Sequence, residues 1–232
     1  MSDLISQNVQ FHNKLNPKIW HGMELDSEVR MYLLDIAKTF INSLEIEDLP
    51  LVDVHLTGSM ASYNYTPFSD FDLHVVINRS KMKGDPALLD KMFQSVKTVW
   101  NEHYPIKIHG HDVEVYAEDT AKPPHSNGTF DLIDNKWIEK PKKIHALIND
   151  RALRVKSLDL MHSIDHVIEH SELARAKKLK EKIVKMRKDG LEKTGQYGVE
   201  NLAFKILRNQ GYMDKLFDFI KYETTKELSL KQ

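Results

Sequence analysis

The sequence contains no cysteine. This absence excludes disulfide bonds, zinc sites with cysteine ligands and thiol catalysis together. Long apolar runs are also missing, so no segment is predicted to span a bilayer. The first residues have neither the basic start nor the apolar stretch of a signal peptide. From these absences we predict a soluble cytoplasmic protein that has no membrane partner.

An excess of charge of one sign is lacking as well. The 33 lysines and arginines are balanced by 34 aspartates and glutamates, which gives a net charge of -1. Any nucleic acid would therefore have to bind a local basic patch. Residues 171–193, with nine basic and four acidic side chains, form one candidate. A solvated helix face is the preferred interpretation of this segment, and contact with RNA is the alternative.

Two predicted strands surround a Gly-Ser pair. Alternating apolar and polar side chains predict a strand over residues 51–56, and Gly58-Ser59 ends it. A second strand is predicted over residues 71–77, with its odd-numbered apolar side chains on one face. Because side chains alternate along a strand, the polar side chains share the opposite face. These are Asp70, Asp72 and His74.

Asp70 and Asp72 thus form a pair of neighbouring carboxylates. Like charges at this spacing repel each other unless a cation lies between them. Carboxylate oxygens suit Mg²⁺ or Mn²⁺, which also bind water and substrate phosphates. The pair therefore predicts a site of phosphoryl or nucleotidyl transfer, and an exposed D-x-D sequence without a ligand is the alternative.

Gly58-Ser59, ten intervening residues and Asp70-Phe71-Asp72 resemble the G-S…D-x-D signature of the DNA polymerase β-like nucleotidyltransferase superfamily. The resemblance covers roughly residues 50–120, and the sequence is most similar to the small predicted nucleotidyltransferases of bacteriophages. It implies a mixed α/β fold, with a β-sheet flanked by helices and a helical bundle after it.

The resemblance also implies a chemistry. The turn at Gly58 and the Ser59 hydroxyl would hold a triphosphate, although a plain turn with a capping serine is the structural alternative. Three carboxylates would bind two divalent metals, Mg²⁺ or Mn²⁺. The expected reaction moves a nucleoside monophosphate from an NTP to a hydroxyl and releases pyrophosphate. The acceptor is left open among RNA, a nucleotide, a small molecule and a protein.

The third carboxylate is expected on a strand beside Asp70 and Asp72. Residues 112–117 have strand character, with Asp112 and Glu114 on one face. We choose Glu114 because it lies between two valines, as the family pattern requires, and Asp112 remains the alternative. A glutamate departs from the commoner aspartate and carries its carboxylate about one methylene further from the backbone.

The remaining sequence predicts two domains, a catalytic domain over residues 1–143 and a helical domain over residues 144–232. Further predictions concern single elements, some from local signals and some from periodicity. In the first domain they are a helix capped by Asp26 or Ser27, a helix after Asp85-Pro86, a loop over residues 121–128 and an edge strand over residues 130–137. In the second they are a helix including Leu147 and Ile168 and a helix that Ser171 caps and that ends at Asp189-Gly190. His162, His166 and His170 are predicted to form a polar stripe on one helix, for which a zinc site is the alternative.

Two other classes of function compete with an active nucleotidyltransferase. One is a catalytically silent module that keeps the fold to bind a nucleotide or a nucleic acid. The other is an interaction protein of the toxin or antitoxin type, which modifies or masks another protein. The full set of acids favours the active enzyme over the silent module.

Overall fold

The computed structural model describes residues 5, 7–121 and 126–230. The predicted loop at residues 121–128 and the polar N-terminal residues therefore lie partly outside the described part. The chain divides into two compact units. One is an α/β unit, Gln10–Ile144, and the other is a helical unit that combines His145–Gln232 with the described residues of Met1–Val9.

The α/β unit is built on a six-stranded sheet with the order β5-β6-β4-β3-β7-β8. The pair β4 and β6 is parallel and the other pairs are antiparallel, so the sheet is mixed. The elements are β1 (Trp20–His21), β2 (Glu24–Leu25), α1 (Ser27–Ser43), β3 (Leu51–Thr57), β4 (Phe71–Ile77), α2 (Pro86–His103), β5 (Lys107–Ile108), β6 (His111–Asp119), β7 (Thr129–Asp131) and β8 (Lys136–Glu139).

The two helices of this unit begin where the local signals predict. The Asp26 carboxylate accepts hydrogen bonds from the amides of Glu28 and Val29 and caps α1. The Asp85 carboxylate accepts from the Leu88 amide, and Pro86 occupies the first position of α2, where a missing N–H costs nothing. Both predicted helix starts are therefore confirmed.

The two faces of the sheet differ in chemistry. One face is apolar and packs with residues of α1 and α2, such as Phe40 and Trp100, in the core of the unit. The opposite face carries the polar side chains of the same strands in register. The apolar face consists of Val54, Leu56, Phe71, Leu73, Val75, Ile77, Val113, Val115 and Phe130. The polar face includes His55, Thr57, Asp72, His74, Glu114, Tyr116, Glu118 and Asp131.

The outer edge of β6 is closed by a side chain. The Asn101 amide on α2 donates a hydrogen bond to the Val115 carbonyl at 3.1 Å and accepts one from the Val115 amide at 3.0 Å. Beyond His111 and Asp112, which pair with β5, β6 has no neighbouring strand on this side among the described residues. Asn101 thus satisfies both backbone groups of Val115.

The prediction of one edge strand over residues 130–137 is wrong. The segment forms a hairpin, with β7 paired to β3 and β8 paired to β7. The turn between the strands includes Asn135 with a positive φ of 54°. The Asp131 carboxylate accepts from the Asp134 amide inside this turn. A local side-chain hydrogen bond of this kind favours a turn over a continuous strand.

The helical unit contains four described helices around its own core, which includes Leu153, Ile164, Leu202 and Ile206. They are α3 (Asp150–Glu169), α4 (Leu173–Thr194), α5 (Val199–Asn209) and α6 (Tyr212–Leu228). The helix predicted to include Leu147 begins later, because Asn149 caps it by accepting from the Ala152 amide. The described residues Ile5 and Val9 also pack into this core, so the unit includes chain that the predicted 1–143 domain covers.

The predicted end of α4 at Asp189-Gly190 is wrong, because the helix continues to Thr194. Gly190 is buried inside the helix, and a Cβ placed there would lie 2.5 Å from the Glu200 Cβ. The glycine therefore permits close packing between α4 and α5.

The rings of His166, on α3, and His170, directly after it, stack on each other with centroids 4.3 Å apart. Both histidines are mostly exposed to solvent.

None of the described helices combines the length and the apolar character that a membrane crossing requires. The predicted class, a mixed α/β sheet with helices followed by a helical bundle, is confirmed.

Candidate active site

Asp72 lies on β4, which runs between β3 and β6 in the sheet. Its antiparallel partner on β3 is Thr57, the last residue before the Gly-Ser turn. Its parallel partner on β6 is Glu114. Neighbouring strands lie about 4.8 Å apart, so the Asp72 and Glu114 side chains rise side by side from adjacent strands. Asp70 immediately precedes β4, and all three acids are half-buried.

Gly58 approaches the Asp72 carboxylate more closely than any residue with a side chain could. A Cβ at this position would lie 1.7 Å from Asp72 Oδ2 and 2.8 Å from its Cγ. The backbone also adopts a φ of 73°, which L-residues rarely do. The backbone conformation and this contact therefore both favour glycine here, because any side chain would displace the Asp72 carboxylate.

Serine hydroxyls fix this turn. The Gly58 amide donates to Ser126 Oγ at 3.1 Å, and Ser126 Oγ donates to the Gly128 carbonyl. Ser59 Oγ donates to Ser69 Oγ at 2.7 Å. The Ser59 hydroxyl is thus half-buried beside the start of β4 and held by a hydrogen bond to the chain that leads into Asp70.

Tyr116 connects the acids to the next part of the polar face. Its hydroxyl donates a hydrogen bond to Glu114 Oε2. Burial raises the pKa of the Tyr116 phenol, and the negative charges of Asp72, Glu114 and Asp70 raise it further. The phenol therefore stays protonated and remains a donor to Glu114 over the whole neutral range.

His74, the next polar residue on β4, is held by a different acid. Its Nδ1 lies 2.7 Å from Glu118 Oε2, and both side chains are buried. The imidazole also stacks on the Tyr116 ring with centroids 4.8 Å apart. His74 is therefore a hydrogen-bonded histidine of the sheet surface and acts as a support for Tyr116.

The two candidates for the third carboxylate occupy different environments. Asp112 has a side chain that is 60% exposed, pairs with Lys107 at 2.6 Å and faces β5 in register. Glu114 is half-buried and in register with Asp72. The geometry around Asp72 thus favours Glu114.

The metal that the resemblance implies can be tested against these donors. Among the described residues, no group of three or more histidine, aspartate or glutamate side chains lies close enough to hold an ion. The donor chemistry nevertheless fits, because Asp70, Asp72 and Glu114 offer the hard oxygens that Mg²⁺ and Mn²⁺ prefer. Asp72 and Glu114 also rise from adjacent strands in register.

Several residues of this region were not predicted from the sequence. Tyr116 shares the face of Glu114 by simple alternation, which was a usable signal. Ser69 directly precedes Asp70, whereas Ser126 and Lys97 come from separate segments that only the fold brings together. The Lys97 ammonium lies 3.8 Å from the centroid of the Tyr116 ring, an arrangement that favours a cation–π interaction.

A family model described as a nucleotidyltransferase domain matches residues 37–145, slightly less than half of the chain. The matched range contains all five predicted site residues, Gly58, Ser59, Asp70, Asp72 and Glu114. The predicted similarity to nucleotidyltransferases is thereby confirmed at the level of the domain, and the likeness to bacteriophage proteins stays a prediction. No curated protein and no solved structure matches the chain.

Proposed function

We propose that the protein transfers a nucleoside monophosphate from an NTP to a hydroxyl acceptor. The observation that carries this proposal is the register of Asp72, which has the residue before the Gly-Ser turn on one side and Glu114 on the other. A phosphate-binding turn and two carboxylates are thus on adjacent strands, as an in-line transfer needs. The matching nucleotidyltransferase model supports the same class of reaction.

In this proposal the Gly58 turn and the Ser59 hydroxyl hold the triphosphate. The acceptor oxygen attacks the α-phosphorus, the bond between the α-phosphorus and the bridging oxygen breaks, and pyrophosphate leaves with that oxygen. Glu114 takes the proton of the acceptor hydroxyl or, as the alternative role, is the third ligand of the metal. Tyr116 donates to one Glu114 oxygen, which fixes the carboxylate and leaves its second oxygen for that proton.

Asp70, Asp72 and Glu114 would hold a divalent cation, Mg²⁺ or Mn²⁺. When bound, such a cation neutralises charge on the triphosphate and favours loss of the acceptor proton. The chain's own contribution is to place Asp72 and Glu114 on adjacent strands in register, with Asp70 directly before β4 and all three acids half-buried. We further propose that the α/β unit is the catalytic domain and that the helical unit contributes to recognition of the acceptor.

The experiment incubates the full chain with each α-labelled NTP, Mg²⁺ or Mn²⁺, and separate pools of tRNA, other RNA, nucleotides and protein extract. The test variant is Asp70→Asn/Asp72→Asn, which keeps the side-chain volumes. Asp35→Asn, an exposed acid on α1, is the matched control. We expect metal-dependent labelling by the wild type and by the control, and a loss of at least 100-fold in the double variant.

One observation favours a second candidate, a silent nucleotide-binding module. The Tyr116 hydroxyl already occupies one oxygen of Glu114. NTP binding in calorimetry without labelling of any acceptor pool would establish that module. Full labelling by Asp70→Asn/Asp72→Asn would show that these acids are not the catalytic group.

A further inference from the structure

A second cleft, of about 650 Å³, runs along the outer edge of β6. This volume is in the range of small-ligand sites, about 300–1,000 Å³. Its walls come from α2, from β6 and from Arg79. The lining residues are Arg79, Asp90, Lys91, Phe93, Gln94, Ser95, Lys97, Tyr116 and Ala117.

The cleft is positively charged. Three of its lining residues are cationic and one, Asp90, is acidic. Arg79 is fixed in the wall, because it donates to Asp90 Oδ1 at 2.5 Å and to the Ala117 carbonyl at 2.6 Å, and its guanidinium lies over the Phe93 ring. The Asp90 charge is thus offset by Arg79. Lys91 and Lys97 bring two further positive charges to the wall of the cleft.

Tyr116 is the common wall of the cleft and the candidate active site. Its ring lines the cleft and lies under the Lys97 ammonium, while its hydroxyl donates to Glu114. A group held beside Lys97 therefore lies next to the ring whose hydroxyl contacts Glu114.

We infer that this cleft binds the phosphate of the acceptor, which is a nucleoside monophosphate unit, either free or at the end of an RNA strand. The inference rests on the proposed function. The three acids of the site repel an anionic acceptor, so a phosphorylated acceptor needs fixed cations next to them. Lys97 is that cation, since lysine binds phosphate as a point charge. Gln94 and Ser95 add neutral hydrogen-bonding groups to the wall.

The test measures binding rather than transfer. The full chain is titrated in a calorimeter with 5′-AMP, with a six-nucleotide single-stranded RNA and with a non-hydrolysable ATP analogue. The variants are Lys97→Gln and Lys91→Gln/Lys97→Gln. Lys38→Gln, an exposed lysine on α1, removes the same charge away from the cleft and is the matched control. Lys97→Arg keeps the charge, and thermal unfolding verifies that each variant folds.

We expect Lys97→Gln to weaken 5′-AMP binding about tenfold, with a further loss in the double variant. Lys38→Gln and Lys97→Arg should bind nearly as the wild type does. Tighter binding of the RNA than of 5′-AMP, lost in Lys97→Gln, identifies a strand end as the source of the phosphate. Equal binding of the two identifies a free nucleotide. Either result supports the inference.

Two results would overturn it. One is 5′-AMP binding that is equal in Lys97→Gln and Lys38→Gln. The other is an equal weakening of the ATP analogue by Lys97→Gln, which would make the cleft part of the NTP site. The two proposals fail in different ways. If 5′-AMP binding depends on Lys97 but no acceptor is labelled, the proposed transfer activity is wrong. If transfer occurs but 5′-AMP binding does not depend on Lys97, only the proposed role of the cleft is wrong.

Discussion

The seven residues of β4 alternate between two faces of opposite character. On one face Phe71, Leu73 and Ile77 are fully buried against the core. On the other, Asp72 stays half-buried beside Glu114, and His74 needs a buried glutamate as its partner. Burial of apolar area stabilises the unit, whereas neighbouring carboxylates cost stability. Because the apolar face holds the strand in place, the polar face can keep two neighbouring carboxylates that repel each other.

The largest effect should come from the apolar face. Leu73→Ala removes a fully buried side chain and leaves a cavity, so the free energy of unfolding should fall by about 3 kcal/mol. Leu51→Ala, on the neighbouring strand but 42% exposed, should cost less than about 1 kcal/mol. Denaturant unfolding monitored by circular dichroism measures both. Equal losses would contradict the packing of Leu73 in the core of the unit.

The next effect should come from the polar face and appear in activity. In Gly58→Ala the added methyl group displaces the Asp72 carboxylate, and transfer should fall about 100-fold, as for an active-site shift of about 1 Å. Gly22→Ala has the same backbone strain, with a φ of 68°, but its methyl group meets nothing within 4 Å. Gly58→Ala should lose at least as much stability as Gly22→Ala, because it adds the displacement of Asp72 to the same backbone strain. Retained transfer in Gly58→Ala would refute the role of this contact.

The smallest effect concerns Tyr116 and pH. Its pKa is raised by burial and by the nearby acids, so above about pH 10 the unfolded chain releases a proton that the folded chain keeps. The stabilisation is full below pH 10 and is lost as the pH rises above it. Wild type should therefore lose about 1.4 kcal/mol more per pH unit than Tyr116→Phe.

Denaturant titrations between pH 9 and pH 11 measure this difference. Tyr32→Phe on α1, which removes a phenol that is 51% exposed, is the control and should follow the wild type. Parallel curves for wild type and Tyr116→Phe would mean that neither burial nor the nearby acids raise the pKa of this phenol.

The sequence was most informative where a local signal and the fold agree. The caps at Asp26 and Asp85 act within three residues, so no distant contact was needed to predict them. Gly58 and Gly190 show the limit. Both serve close approach, but Gly190 meets Glu200 on another helix, and a sequence shows no such neighbour. The sequence therefore predicts a helix end at Gly190, although the helix continues to Thr194.

The candidate site divides in the same way. Asp70, Asp72 and Glu114 follow from strand alternation and from the resemblance. The Ser126 hydroxyl and the Lys97 ammonium reach this region from separate segments, so only folding reveals them. The strand pairing β7–β8 depended on a turn bond at Asp131, which apolar periodicity does not detect.

The side chain of Asn101 has a consequence for self-association. An exposed strand edge invites pairing with another chain, and β6 would offer such an edge next to the acids. The asparagine side chain bonds both backbone groups of Val115, as a neighbouring strand would. A strand of a second copy therefore cannot form backbone hydrogen bonds with Val115. The rim of the sheet thus stays accessible to a ligand without becoming a template for aggregation.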